Sequence, residues 1–275
     1  MIDIKGCGLG LRRDFLHEIA VDGFLPDFWE VTPENWIYMP YHHREKFEET
    51  VALRPTLAHG LSLSIGSPES VNKKFLKEIK QFLDRYGIKY YSEHLSFSSF
   101  GANQTYELLP LPMTKKMALH VSDKVKVVED ILQRNLILEN ATYYHTPQSD
   151  LSESEFINMV LDKSGAKLLL DVNNVFVNSE NHGYDAISFL DELDISKAAY
   201  IHVAGHYKDD ELALIIDSHG MPVADQVWEL LKHTLSKTDT PVMIERDNNI
   251  PPYKTLEKEY KKLQKLLNGV RHDRV

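Results

Sequence analysis

Between Tyr200 and Gly220 the chain reads YIHVAGHYKDDELALIIDSHG, a strand-like start that ends on His202 and then carries His206, Asp217 and His219. Imidazoles and carboxylates this close together suit a cation that prefers nitrogen and oxygen ligands. A chain with 13 His residues can also bunch a few by chance on a solvated loop, so this segment alone leaves both readings open. Other short apolar runs weigh between them, because their polar ends repeat the chemistry. TLAHGL carries His59, IKYYSEHL carries His94, LILE ends on Glu139, KLLLDV carries Asp171, AYIHV carries His202 and PVMIE ends on Glu245. Any one of these taken singly passes for a buried polar group satisfied by its neighbours. Six in succession are harder to explain that way, since crowded carboxylates repel unless protons or cations lie between them. With Asp217 and His219 they make eight candidate ligands, which suits two or three metals with bridging carboxylates. The same eight are the expected catalytic set. Apart from Cys7 no thiolate is available, so the donors are nitrogen and oxygen, and Fe, Mn and Zn all remain open.

Elements that could bring these ends together are legible. Eight short apolar or β-branched runs occur: Gly6–Leu11, Phe28–Thr32, Thr56–Leu61, Ile88–Leu95, Leu136–Glu139, Lys167–Val172, Ala199–Val203 and Pro241–Glu245. They are apolar through their length and turn polar at the C-terminal end, as buried parallel strands do. Between them, helices are expected over Pro68–Tyr86, Thr114–Gln133, Ser152–Lys163, Pro222–Leu235 and Thr255–Leu267, with Ser and Thr as N-caps and Gly87 and Gly165 as stops. Strands alternating with helices argue for an α/β chain folded as a single (β/α)8 TIM barrel spanning residues 1–275, with the metal site at the C-terminal end of the strands. A doubly wound sheet is the runner-up, but GCGLGLR is only a superficial match to a phosphate-binding fingerprint. Phe97–Pro112 reads as a long loop near the site.

Composition narrows the partners. Lys plus Arg is 31 and Asp plus Glu is 41, a formal net charge of −10, which argues against a sequence-independent grip on nucleic acid. No run of about 18 apolar residues is present to suggest a membrane span. One cysteine excludes an intrachain disulfide, and MIDIKGCGLGLRRDF lacks the apolar stretch of a signal peptide, so the expected compartment is cytoplasmic.

The order His59, His94, Glu139, Asp171, His202, Asp217-x-His219, Glu245 resembles the trinuclear site of the xylose isomerase-like TIM barrels, laid out as in apurinic endonuclease IV. There a His stands three residues after the Asp. Here that position is Asn174, which weighs against a zinc phosphodiesterase. The finer motifs, among them WEVTPENW, AHGLSLSIGS, SEHLSF, LENATYY, DVNNVFVNSENHGYD, IHVAGH, IDSHGMPV and IERDNNIPP, resemble the multinuclear non-heme iron-dependent oxidative enzymes. That resemblance runs from about Gly6 to Pro252.

It implies two or three iron ions, dioxygen as co-substrate, and oxidative modification of cysteine in a ribosomally made, Cys-containing precursor peptide. It also implies a small leader-peptide-recognition partner protein, giving a heterodimer. The ligands it implies are His59, His94, Glu139, Asp171, Asn174, His202, Asp217, His219 and Glu245. His182 is a further candidate, as ligand, substrate contact or a loop His capping backbone, and His206 is expected one layer behind the ligands. Glu30, Glu34, Asn35 and Arg12 are expected to line the same mouth, either as peptide-contacting groups, the reading favoured for Asn35 and Arg12, or as plain structural polar residues. Tyr143 and Tyr144 are either the floor of a peptide groove or plain packing. The competing readings are a zinc- or manganese-dependent hydrolase or sugar isomerase on the same barrel, and a barrel that binds without catalysis.

Overall fold

The structure is a computed structural model that describes residues 2–100, 103–146 and 148–273. Its centre is a closed barrel of eight strands: β1 (Cys7–Gly10), β2 (Phe28–Val31), β3 (Thr56–His59), β4 (Tyr91–His94), β5 (Leu136–Glu139), β6 (Lys167–Asp171), β7 (Ala198–Val203) and β8 (Val242–Ile244). Each pairs in parallel with its sequence neighbours, and β1 closes the ring on β8 through Gly8↔Met243.

The two-residue period of a strand divides this barrel into an inside and an outside. Phe28, Leu57, Ile137, Leu169, Tyr200 and Met243 form one buried cluster at the lower level of the interior. Two residues further along each strand stand Glu30, His59, Glu139, Asp171, His202 and Glu245, all at most 5% exposed. The alternate residues, including Trp29, Ala58, Leu138, Leu168, Ile201 and Val242, join a second and larger core shared with the helices. An apolar plug therefore lies below and a polar layer above, on the same faces of the same strands.

The helices that cover the barrel start where the caps direct. Thr114 accepts from Met117 N ahead of Lys115–Leu132, and Ser152 forms a capping box with Glu155 ahead of Glu153–Ser164. The helix expected from Pro68 begins later, at Lys73, because Asn72 accepts from both Lys74 N and Phe75 N. Helices Tyr41–Val51 and Val172–His182 carry few apolar positions, and Ala186–Glu192 is only 7 residues long, so none of the three is read from periodicity. The segment expected as a loop over Phe97–Pro112 is largely an antiparallel hairpin, Phe97–Phe100 with Asn103–Leu109. A second hairpin, His206–Asp209 with Leu214–Asp217, follows β7. Both project from the C-terminal ends of the strands. No helix among the described residues is long and apolar enough to cross a membrane.

Candidate metal centre

Register does most of the positioning. His94 pairs with Glu139 across β4 and β5, and Asp171 pairs with His202 across β6 and β7, so the strand ends meet at one height. Three groups of donor atoms result, each with its members within 4.8 Å of one another: His59, His94 and Glu139; Glu139, Asp171, His202 and Glu245; and His219, Glu245 and Asp247. Glu139 is common to the first two and Glu245 to the last two. Within them His59 Nε2 lies 3.0 Å from Glu139 Oε2, His202 Nδ1 lies 2.9 Å from Glu245 Oε2, and His219 Nδ1 lies 3.1 Å from that same oxygen.

Buried polar atoms ordinarily find hydrogen-bond partners. Here His94 Nδ1, Glu139 Oε2, Asp171 Oδ2, His202 Nδ1, His219 Nε2 and Glu245 Oε2 have none with hydrogen-bond geometry, six of nine such atoms among the described residues. Their charge states are correspondingly displaced. Burial opposes charge on the His59 ring, yet Glu139 beside it lifts its pKa to about 9. At His94 burial, reinforced by His59, prevails and lowers the value to about 4. Burial drives Asp171 well above the usual carboxylate range, while His202 and His219 overcome burial at Glu245 and hold it well below. Nitrogen and oxygen donors that lack partners and crowd like charges fit divalent cations, which satisfy both deficits.

Asp217 and His219 reach the centre from the end of the second hairpin. Asp217 Oδ1 lies 2.8 Å from His219 Nε2 and accepts from Asn173 Nδ2 at 2.8 Å. His219 has a left-handed backbone, φ 46°, pinned by Asp247 N and Asn248 N donating to its carbonyl. Such strain in a residue other than glycine is typical of functional positions. His206 sits one layer behind: its Nδ1 is 2.7 Å from Asn173 Oδ1, so Asn173 joins it to Asp217. Asn174 is buried beside the centre, but its amide donates to Asn140 O and its carbonyl accepts from Thr142 Oγ1, both at 2.9 Å.

Other side chains singled out from the sequence have varied placements. His182 Nε2 lies 2.9 Å from Tyr143 O and its ring stacks on Tyr143, the backbone-capping arrangement. Arg12 folds back over the site, Nη2 on Asp247 and Nε donating to Arg246 O at 2.9 Å. A Cβ on Gly10 would fall 2.7 Å from Arg12 Nη1, so this glycine of GCGLGLR makes room for a guanidinium rather than a phosphate. Asn35 is exposed and lines a cavity of about 360 Å³ with Arg12, Glu245 and Asp247. Glu34 Oε1 accepts from Leu61 N and Ser62 N, bracing the loop after β3. Tyr144 is 45% exposed and its hydroxyl accepts from Asp217 N. Glu30 is not at the mouth at all; it lies 2% exposed inside the barrel, behind the His202 ring and 3.0 Å from its Nε2.

Asp247, Asn173 and Asn140 escaped the sequence reading. Asp247 could have been found from Glu245, two residues back. The two asparagines carry no signal beyond their place in DVNN and LENA. A larger cavity of about 630 Å³ opens over His94, Asp217, His219, Glu245 and Asp247, and Gln104, Glu107 and Leu108 of the first hairpin form one wall.

Known proteins resemble this chain over most of its length. The family model described as RiPP precursor modification enzyme MbnB/TglH/ChrH matches residues 6–268. The chain belongs to this family. A UPF0276 protein of Shewanella sediminis is 43% identical over 96% of this chain and 95% of its own, and one of Pseudomonas aeruginosa is 41% identical over 96% and 93%. Among solved structures, a D-psicose 3-epimerase of Clostridium cellulolyticum superposes with a TM-score of 0.61 at 12% identity, covering 97% of this chain and 98% of that one. Endonuclease IV of Thermus thermophilus superposes with 0.53 at 14%, covering 98% and 99%. At such identities these two share the fold alone, a (β/α)8 TIM barrel. As a member of the family, the chain is a precursor-peptide modification enzyme with a candidate metal-binding cluster.

Proposed function

We propose that this protein is an iron-dependent, dioxygen-using oxidoreductase that modifies cysteine residues of a ribosomally synthesised precursor peptide. The observation that carries a multinuclear metal centre is the run of three donor groups joined through Glu139 and Glu245, built from nitrogen and oxygen atoms alone; iron, dioxygen and cysteine follow from the family resemblance. His59, His94 and Glu139 would hold one ion, and Glu139, Asp171, His202 and Glu245 a second. A third would lie by His219 and Glu245, with Asp247, Asp217 and the remaining lone pair of Asn174 at hand. Bound iron supplies Lewis acidity for a cysteine thiolate and the redox capacity to spend dioxygen.

The chain's own residues do the rest. Glu139 and Glu245, each common to two donor groups, would be the shared ligands of neighbouring ions. His206, through Asn173, orients the carboxylate of Asp217. Arg12 offsets the negative charge of Asp247 and Glu245 where they face the mouth. The cavity between the first hairpin and the 217–219 segment, about 630 Å³ and lined by His94, Asp217, His219 and Glu245, is where a peptide side chain would meet the centre. A cytoplasmic placement would suit this chemistry, since a reducing compartment keeps substrate thiols free. A small partner that recognises the peptide leader, forming a heterodimer, completes the reading.

The test is metal analysis and oxygen uptake on protein purified without air. Two to three irons per chain, with oxygen consumed only when a Cys-containing peptide is present, is the expected result. Zinc or manganese in place of iron, with turnover under argon, would point instead to a hydrolase or isomerase.

A further inference from the structure

Below the donor atoms a hydrogen-bonded chain crosses the barrel interior. His59 Nδ1 lies 2.8 Å from Ser92 Oγ, and Ser92 Oγ lies 2.6 Å from the Tyr200 hydroxyl. Tyr200 donates to Glu30 Oε2 at 2.6 Å, and the same oxygen is 3.0 Å from His202 Nε2. Four strands contribute, and all five side chains are at most 2% exposed.

The direction of every proton follows from one end. A carboxylate oxygen in this position accepts, so Tyr200 and His202 both donate into Glu30. His202 then carries its proton on Nε2 and turns Nδ1 toward Glu245, Glu139 and Asp171, at 2.9, 3.7 and 4.0 Å. Tyr200, its proton spent on Glu30, accepts from Ser92; the other acceptor near Ser92, Ala58 O, is longer at 3.3 Å. Ser92 in turn accepts from His59 Nδ1–H, which leaves His59 Nε2 facing Glu139 and His94.

We infer that Glu30, Tyr200 and Ser92 are positioning residues: one buried carboxylate fixes the metal-binding nitrogen of both His59 and His202 and so couples two adjacent metal positions. This rests on the metal-centre reading given above. Partners behind a ligating imidazole set its tautomer and strengthen it as a donor, and their loss typically costs about 10- to 100-fold in metal affinity. The two halves of the chain are separable. Ser92→Ala interrupts only the His59 branch, whereas Glu30→Gln weakens the acceptor of both.

The experiment is a titration of metal-free, full-length protein with Co2+ alone, followed by visible absorption and by bound metal per chain, with circular dichroism confirming that each variant is folded. Glu30→Gln is expected to weaken two binding steps by about 10-fold or more and to shift the Co2+ bands. Ser92→Ala is expected to weaken one step and leave the other unchanged. A purely space-filling role would leave the spectrum of the remaining sites as in the wild type. Wild-type affinities and spectrum in Glu30→Gln overturn the relay while leaving the metal centre intact. Failure of the wild-type protein to bind Co2+ overturns the metal centre, and the relay with it.

Discussion

Glu139 and Glu245 each belong to two donor groups, so their loss is unlike the loss of a terminal ligand. His94→Ala removes one donor from one group and is expected to lower bound metal by about one equivalent per chain. Glu139→Gln removes the shared carboxylate and is expected to lower it by about two. Metal analysis of the folded variants measures the difference, and equal losses would contradict a bridging role. At this scale the sequence was informative where chemistry and strand position coincide. His59, His94, Glu139, Asp171, His202 and Glu245 could be read because each ends an apolar run. Glu30 and Asp247 could not be placed as easily: Glu30 lies inside its apolar run, FWEVT, and not at its end, and Asp247 lies beyond its strand on an exposed loop.

Among the elements, the helix Val172–His182 has an anchoring that periodicity does not reveal. Asn174 and Asn178, four residues apart, both face the turn after β5. Asn174 bridges Asn140 O and Thr142, while Asn178 accepts from Tyr143 N and donates to Ala141 O. Asn140 in turn exchanges two bonds with the Asp171 backbone, each 2.9 Å. Asparagines in a helix are poor apolar signals, which is why the sequence showed a motif here and not a helix. Asn174→Ala is expected to destabilise the metal-free protein by about 1–3 kcal/mol, since it strands a buried carbonyl and hydroxyl. Denaturant melts without metal check this; an unchanged midpoint would mean that Asn174 acts only toward a metal.

The first turn of the neighbouring helix carries a pH-dependent group. Burial lifts Glu153 to about 7 despite hydrogen bonds from the Tyr143 and Tyr184 hydroxyls and Asn178. The folded protein holds that proton more tightly than the unfolded chain, so its stabilising contribution is complete below the ordinary value of 4.5 and is lost as pH rises through about 7. Glu153→Gln mimics the protonated form. Its melting temperature relative to wild type is therefore expected to be higher at pH 8 than at pH 5, and a pH-independent difference would contradict the assignment.

For the whole molecule, the strand period explains why fold and site were legible together. Residues facing the barrel interior are apolar at the lower level, from Phe28 to Met243, and polar two positions on, so one pattern carries both the core and the chemistry. The hairpins were harder, because FSSF and LIID are short and lie among polar residues that read equally well as loop. Metal identity and substrate are not written in the barrel at all; the same fold serves proteins with unrelated names. Peptide mass spectrometry is therefore the most direct measurement. A Cys-containing precursor peptide, with a leader-recognition partner protein, is incubated with the iron-loaded enzyme in air and under argon. A mass change confined to cysteine, present in air and absent under argon, is the predicted result. An unchanged peptide in air, or the same change without oxygen, would contradict the account.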